Sequence, residues 1–198
     1  RINGSYGSAT NLPDHYKNNL NIGVGKTSLK PERSKNFELG LSGDYEWGDI
    51  GIKIYKNKVI DAFSYLDPDS NYLTPDAYYI NDGIVNIQGA ELSINTDLLG
   101  WDFDTAIDFN KAIAKSTDLQ KGRRPNRTLS MNLSKISGKW KRNINWSARS
   151  WAWDKDNHSN GKIGGYGLLN LSTSYSFTES LSVYLNRNNN LDKNYKMA

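Results

Sequence analysis

One short segment, GVGKTS (23–28), contains the glycine, lysine and threonine with which proteins bind phosphate groups. A complete phosphate-binding loop needs another glycine five positions before Gly25, and this position is Leu20. In a phosphate-binding loop, a helix follows the loop and its N-terminus faces the anion. Here Pro31 stands where that helix should run, and proline disfavours a helix interior. We therefore predict an exposed loop here and no nucleotide site.

Two acidic segments have the residue types of metal ligands. DPDSN (67–71) spaces its oxygen ligands like the start of a calcium loop, but Tyr72 and Tyr78 occupy the positions of the required glycine and bidentate glutamate. An Asx-rich turn is the better interpretation. DKDNHSN (154–160) gathers two aspartates and a histidine, so a divalent cation is the alternative to a solvated loop there. We predict no resident metal.

The chain offers no arrangement for covalent catalysis. Cysteine is absent, and the two histidines, His15 and His158, lie in polar segments far apart along the chain. No Ser-His-Asp set and no pair of carboxylates has a spacing that catalysis would use. We predict a protein that is not an enzyme and that needs no cofactor.

The segment QKGRRPNRT (120–128) concentrates positive charge and therefore predicts an anionic partner. Nucleic acid is excluded because no aromatic side chains for base stacking alternate with these cations. Two partners remain, namely the phosphates of lipopolysaccharide, which arginine binds well, and an anionic ligand such as a ferric siderophore. The cations in question are Lys121, Arg123, Arg124 and Arg127.

An alternation of apolar and polar residues organises most of the 198 residues. In NFELGLSGDYEW (36–47), every second residue from Phe37 to Trp47 is apolar or glycine, and most residues between them are polar. Period 2 is the period of a β-strand, and no segment shows a helical period. We predict about nine strands, at 1–9, 36–47, 50–65, 78–96, 101–113, 129–133, 140–153, 169–177 and 181–188.

The lengths of the connections predict which kind of all-β protein this is. Tight turns (48–49, 97–100, 137–139, 177–180) alternate with long polar connections (10–32, 66–77, 116–123, 154–164). Aromatic residues on the apolar parity gather at the tight turns, as in the girdle of a membrane barrel; they are Trp47, Trp101, Trp140 and Phe177. We predict an antiparallel transmembrane β-barrel, and the alternative is a soluble β-sandwich of the adhesin type.

Four segments resemble the TonB-dependent outer-membrane receptor family. They are SYGSATNLPDHY (5–16), SLKPERSKNFELGL (28–41), YYINDGIVNIQGAELSIN (78–95) and LNRNNNLDKNY (185–195). In the third segment, Gly89 and Glu91 stand at the positions of the family's Gly-x-Glu motif. The last segment departs from the family pattern at Asn190 and Leu191, where Leu and Phe are usual.

This resemblance implies that residues 1–198 are the C-terminal portion of a barrel of about twenty-two strands. The plug domain, the early strands and the last strand would lie outside this sequence. The long loops would face the exterior of a Gram-negative-type cell and the short turns its periplasm. The implied function is import of a scarce nutrient complex, such as a ferric siderophore, cobalamin or haem, with energy from the TonB complex acting through the plug. A passive outer-membrane pore without energy coupling is the alternative.

We also predict candidate ligand contacts from aromatic and cationic residues near the outer ends of the strands. Such residues can contact a ligand that enters from outside, or they can simply form the upper aromatic girdle. The candidates are Tyr55, Tyr79, Arg149, Trp151, Trp153 and Tyr166.

Overall fold

The computed structural model describes residues 1–66, 76–159 and 161–196. Nine strands form one antiparallel sheet, ordered β1-β2-β3-β6-β7-β8-β9-β12-β13, which confirms the predicted number. No helix in these described ranges is long and apolar enough to span a bilayer. The elements are β1 (Ile2–Asn11), α1 (His15–Gly23), β2 (Glu32–Tyr45), β3 (Gly48–Ile60), β4 (Phe63–Leu66), β5 (Tyr78–Asn81), β6 (Ile84–Asp97), β7 (Asp102–Ala114), β8 (Arg127–Ser137), β9 (Trp140–Arg149), β10 (Ala152–Trp153), β11 (Lys162–Ile163), β12 (Tyr166–Ser176) and β13 (Ser182–Arg187).

The register of the sheet aligns the alternating residues of neighbouring strands, so that the apolar set lies on one face and the polar set on the other. One row of directly paired residues is apolar or glycine from β1 to β12: Ile2, Leu41, Ile52, Leu92, Ile107, Leu129, Ala148 and Gly167. The neighbouring row is dominated by polar residues: Asn3, Gly40, Lys53, Glu91, Asp108, Thr128, Arg149 and Tyr166. Because paired residues point to the same side, the sheet has one apolar and one polar face.

Short turns and long connections leave opposite ends of the sheet. Strand pairs β2–β3, β6–β7, β8–β9 and β12–β13 are joined by tight turns, while α1 and the two small hairpins lie in the long connections. The first turn contains Glu46 and Trp47, two residues earlier than predicted. Aromatic pairs gather at this turn end, for example Tyr45 stacked on Trp47 at 5.5 Å and Trp140 at 4.8 Å from Tyr175.

The long connections contain structure that the alternation did not predict. Helix α1 begins after Asp14, whose carboxylate accepts the Lys17 backbone N–H at 2.8 Å as an N-cap. The predicted strands 50–65 and 78–96 are each broken, at Asp61 (φ 57°) and at Gly83 (φ 68°). Strand 140–153 breaks after Arg149, so the predictions of three continuous strands were wrong.

The apolar face is left uncovered by the described residues. The small buried core of Ala62, Val85 and Ala112 lies on the polar side, at the loop end. On the apolar face even large side chains stay half exposed, among them Phe37, Leu41, Ile52, Ile54, Phe109, Trp146 and Val183. A sheet that presents such a wide apolar face to its surroundings fits lipid and does not fit water. The fold is therefore that of a transmembrane β-barrel fragment.

Candidate functional site

Arg149 and Tyr166 meet at the loop end of the polar face. They are register partners on β9 and β12, and the Arg149 guanidinium carbon lies 5.2 Å from the centre of the Tyr166 ring. Tyr166 is buried because the Tyr195 ring packs against it at 4.4 Å. Strand pairing places this cation–π pair, so its position does not depend on loop conformation alone.

Trp151 and Trp153 lie just beyond that pair: Trp153 belongs to the hairpin β10–β11, and Trp151 immediately precedes it. Their rings contact each other edge to face at 5.7 Å, and the Lys162 ammonium lies 3.9 Å from the Trp151 ring centre and 5.0 Å from that of Trp153. His158 stacks on Trp153 with 4.0 Å between ring centres. Four of the six candidate ligand contacts therefore lie in one region.

A cleft of about 600 Å³ opens between the β10–β11 hairpin and the segment after β13. It adjoins the two tryptophans through Lys162, which lines the cleft and contacts both rings. Four cations and one carboxylate contribute to its wall, which favours an anionic occupant. The lining residues include Arg123, Asp154, Lys162, Lys193, Tyr195 and Lys196. Of these, Arg123 was predicted as part of the cationic segment and Asp154 belongs to the acidic segment 154–160; the other four were not singled out from the sequence.

The cationic segment 120–128 is divided by its contacts. The Lys121 ammonium pairs with the Asp156 carboxylate, and Arg123 binds Asp154 through Nε at 3.2 Å and Nη2 at 3.1 Å. Arg124 is exposed, and Arg127 is the register partner of Phe109 on the apolar face. The four cations are therefore not equivalent: two pair with aspartates of the neighbouring loop, one is exposed and one lies on the apolar face. Their contact with an anion stays a prediction.

The remaining two candidate contacts lie elsewhere. Tyr79 belongs to β5, where its ring contacts Tyr65 at 5.3 Å and the Lys17 ammonium at 5.6 Å. Tyr55 lies in the middle of β3 rather than near the outer end, and its hydroxyl donates to Asp108 Oδ1 at 2.9 Å. The expected position of Tyr55 was wrong because β3 extends five residues beyond it.

Tyr55 explains the glycine of the Gly-x-Glu motif. A Cβ atom at Gly89 would lie 2.5 Å from Tyr55 Cζ and would also collide with the Phe109 carbonyl oxygen, so the ring rests directly over the glycine backbone. Glu91, two residues later on the same face, pairs with Lys53 at 3.4 Å. Both motif positions therefore lie on the polar face of the sheet, where Gly89 makes room for the Tyr55 ring and Glu91 pairs with Lys53.

The phosphate-loop-like segment follows the end of a helix instead of preceding one. The backbone N–H groups of Val24, Gly25 and Lys26 donate to carbonyl oxygens in the last turn of α1. The Lys26 ammonium lies 4.6 Å from the Tyr78 ring centre. The amides that would wrap a phosphate are thus used to end the helix, and the segment is a loop, as predicted.

The acidic segments do not converge on one point. Asp154 binds Arg123, Asp156 binds Lys121, and His158 Nε2 lies 2.8 Å from the Gln120 carbonyl oxygen. Within the described ranges, no three acidic or histidine side chains are grouped as metal ligands would be. The segment 67–71 lies outside the described residues.

Comparison with known proteins identifies relatives of this chain. The family model for the TonB dependent receptor-like beta-barrel matches residues 1–191. Vitamin B12 transporter BtuB of Photobacterium profundum is 29% identical over 171 residues, which are 86% of this chain and 28% of that protein. Ferric-pyoverdine 358 receptor of Pseudomonas putida is 26% identical over 199 residues, covering 92% of this chain and 23% of that protein.

Solved structures share the fold of this chain. Copper transporter OprC superposes with a TM-score of 0.81 at 20% identity, over 98% of this chain and 32% of that one. A mutant of the ferric enterobactin receptor PfeA from Pseudomonas aeruginosa gives 0.76 at 18% identity, over 97% and 33%. The chain spans about a quarter of the length of the curated relatives described above.

Proposed function

Because this chain belongs to the TonB-dependent receptor family of outer-membrane β-barrels, we propose that it is part of a receptor that imports an anionic nutrient complex with energy from the TonB complex. Relatives of the chain include a cobalamin transporter and a siderophore receptor. The chemistry of the candidate site is therefore the basis on which we propose a ligand class. The TonB complex would act through a plug domain, as the resemblance implies.

The observation that carries the proposal is the charge of the cleft beside Trp151 and Trp153. Arg123, Lys162, Lys193 and Lys196 face a single carboxylate, Asp154. Arg123 is paired with that carboxylate, so the lysines leave the cleft with a net positive charge. A cationic cleft favours a ferric siderophore of net negative charge, such as a catecholate or carboxylate complex, or haem through its carboxylates, over cobalamin, which carries little net charge.

The polar face gives the ligand a continuous hydrated surface below the cleft. Arg149 and Tyr166 lie at the base of the loops, and the row beneath them carries hydrogen-bonding residues from Asn170 and Asn145 to Asn132. The chemistry is binding and release, without a covalent step. The four clustered candidates, together with Lys162 and Lys193, are the residues that we propose touch the ligand.

Binding to the intact receptor tests the ligand class. The probes are ferric catecholate, hydroxamate and carboxylate siderophores, haem and cobalamin, each titrated against the wild type and a Lys162→Glu/Lys193→Glu variant. We expect one anionic probe to bind and the variant to weaken it at least tenfold. Lys139→Glu, a cation at a short turn, is the matched control and should bind normally. Binding of cobalamin alone would contradict the proposal.

Uptake by whole cells separates a receptor from a passive pore. A receptor should accumulate the bound probe only when the TonB complex is intact and the inner membrane is energised. A pore would admit the probe at equal rates with and without the TonB complex. Equal rates would therefore reject energy coupling while leaving the binding result unchanged.

A further inference from the structure

Four lysines interrupt the apolar face at the loop end of the sheet. On β3, Lys56 and Lys58 follow Ile50, Ile52 and Ile54 on the same parity. Lys35 on β2 and Lys111 on β7 also stand on the apolar parity of their strands. All four side chains are exposed, and we call them the lysine rim.

The register brings the rim lysines close together. Lys35 and Lys58 are direct partners, and Lys56 is separated from Lys111 only by Gln88 on β6. Because neighbouring strands lie about 4.8 Å apart, the two ends of that row are only about 10 Å from each other. Like charges directly opposite each other destabilise a sheet, so this arrangement calls for an anion.

The protein itself supplies no such anion within the described residues. None of the four ammonium groups forms an ion pair, whereas Arg33 binds Asp61 at 3.2 Å and Lys53 binds Glu91 at 3.4 Å. Cations at the turn end of the same face do have partners. Lys135 donates to the Leu99 carbonyl oxygen at 3.3 Å, and the Arg142 guanidinium carbon lies 5.5 Å from the Trp140 ring centre.

The depth of the rim matches the outer headgroups. Lys56 lies nine residues beyond Trp47, the aromatic residue in the turn of the same hairpin. At about 3.3 Å per residue and a tilt of roughly 40°, those residues climb about 23 Å across the membrane. The apolar band of such barrels is about 25 Å tall, so the rim reaches the level of the headgroups on the loop side.

We propose that the lysine rim binds the phosphate groups of lipopolysaccharide in the outer leaflet. The charge of the rim complements phosphate, its position on the lipid-facing parity excludes the imported ligand, and its depth matches the leaflet on the loop side. This contact lies on β2, β3 and β7. In segment 120–128, Lys121 and Arg123 are already paired, and only Arg127, at the start of β8, lies on the same face as the rim. The inference rests on the outer-membrane location and not on the ligand of the cleft.

Lipid retention by the intact receptor tests the lysine rim. The variants replace all four lysines with Gln, or only the opposed pair (Lys35→Gln/Lys58→Gln), and a heat-modifiable gel shift selects folded protein. Lys135→Gln/Arg142→Gln is the matched control on the same face, and a fourfold Lys→Arg variant retains the charge. The measured quantity is lipopolysaccharide binding to delipidated receptor in detergent.

We expect the pair variant to lose about twenty-five-fold in lipopolysaccharide affinity, since each of the two lysines near an anionic surface contributes about a fivefold factor. The Lys→Arg variant and the turn-end control should bind like the wild type. Dephosphorylated lipopolysaccharide should bind the wild type as weakly as intact lipopolysaccharide binds the fourfold Lys→Gln variant. Unchanged binding by the pair variant, an equal loss in the control, or equally tight binding of phosphatidylglycerol would each overturn the proposal.

Discussion

The sheet and the loop layer above it are stabilised in different ways. In the sheet, the residues of one paired row are mostly all apolar or all polar. Leu129 and Ile107 therefore contribute because they are apolar residues on the apolar face, and not because of one particular partner. In the loops, the amide of a single side chain forms hydrogen bonds to both the backbone N–H and the backbone C=O of another residue, as a neighbouring strand would. Asn21, 1% exposed, accepts the Tyr79 N–H at 2.7 Å and donates to the Tyr79 carbonyl oxygen at 2.8 Å.

A second asparagine in the loop layer makes the same kind of contact. Asn81 accepts the Lys30 N–H at 2.9 Å and donates to the Lys30 carbonyl oxygen at 2.9 Å. The comparison implies that the sheet should tolerate the exchange of one apolar residue for another, or of one polar residue for another. Its stability should fall strongly when an apolar residue is replaced by a charged one. The loop layer should respond to individual residues, with local effects.

The largest effect is expected from a charge on the lipid side of the sheet. Met131→Arg should lower the free energy of unfolding of the intact barrel by about 2–4 kcal/mol, the cost of Arg near the bilayer middle, because Met131 has the apolar parity and lies six residues from the turn end of β8. Ser130→Arg, the adjacent residue on the opposite face, has small neighbours (Ala106 and Ser147) and should cost little. Urea titration in lipid vesicles measures both, and equal losses would show that the faces are misassigned.

Close packing on the polar face should give the next largest effect. Gly89→Val would place a side chain against Tyr55 and the Phe109 carbonyl oxygen, at a cost of about 1–3 kcal/mol for overpacking. Gly7→Val on the edge strand β1 meets no atom within 4 Å and is the matched control. The same urea titration reports both variants. A neutral Gly89→Val would mean that Tyr55 does not cover this glycine.

The loop layer should respond locally to the loss of one asparagine. Asn21→Ala leaves the backbone N–H and C=O groups of Tyr79 without this partner and should ease opening of α1 by roughly 1–2 kcal/mol. Hydrogen exchange of the α1 amides measures this opening, while unfolding of the barrel should be unchanged. Asn19→Ala, an exposed residue in the same helix, is the control. A global loss of stability would contradict the separation of the two layers.

The smallest effect concerns the helix cap and depends on pH. Hydrogen bonds from the Lys17 side chain and backbone hold the pKa of Asp14 below its usual value of 3.8. The carboxylate therefore stabilises the start of α1 above the usual pKa, and this stabilisation is lost as pH falls through the lowered pKa. Exchange of the α1 amides should quicken only in acid, after correction for intrinsic rates. Asp14→Asn should remove this pH dependence, and an unchanged profile would reject the cap.

Much of the sheet could be predicted because period 2 records directly which face each residue occupies. The separation of Phe103, Ile107 and Phe109 from the aspartates between them is an example. The break at Asp61 was missed because a single aspartate between apolar residues is not a turn signal, whereas the break at Gly83 did have a signal, the Asp82-Gly83 dipeptide, which the prediction of one long strand overlooked. Helix α1 was missed since it has only nine residues and no apolar stripe, and tertiary contacts of Asn21 hold it in place.

The candidate site could be predicted where strand ends position it. Arg149 and Tyr166 are adjacent strands' terminal residues, so their meeting follows from the register. Lys162, Lys193 and Tyr195 were missed because their contacts depend on how two long connections fold, and no periodicity encodes this. The pairing of Lys121 and Arg123 with aspartates was missed for the same reason, although the acidic segment 154–160 was a signal of opposite charge.

The most direct test of the account is the environment of six neighbouring residues in β7. Single Cys substitutions in the intact receptor, reconstituted in vesicles, can carry spin labels at Phe103, Ile107 and Phe109 and at Asp102, Asp104 and Asp108; this chain has no native Cys to interfere. We expect the first three labels to be relaxed by oxygen dissolved in lipid and the last three by a water-soluble nickel chelate. Labels with mixed or uniform accessibility would contradict a sheet that faces lipid on one side and a hydrated lumen on the other.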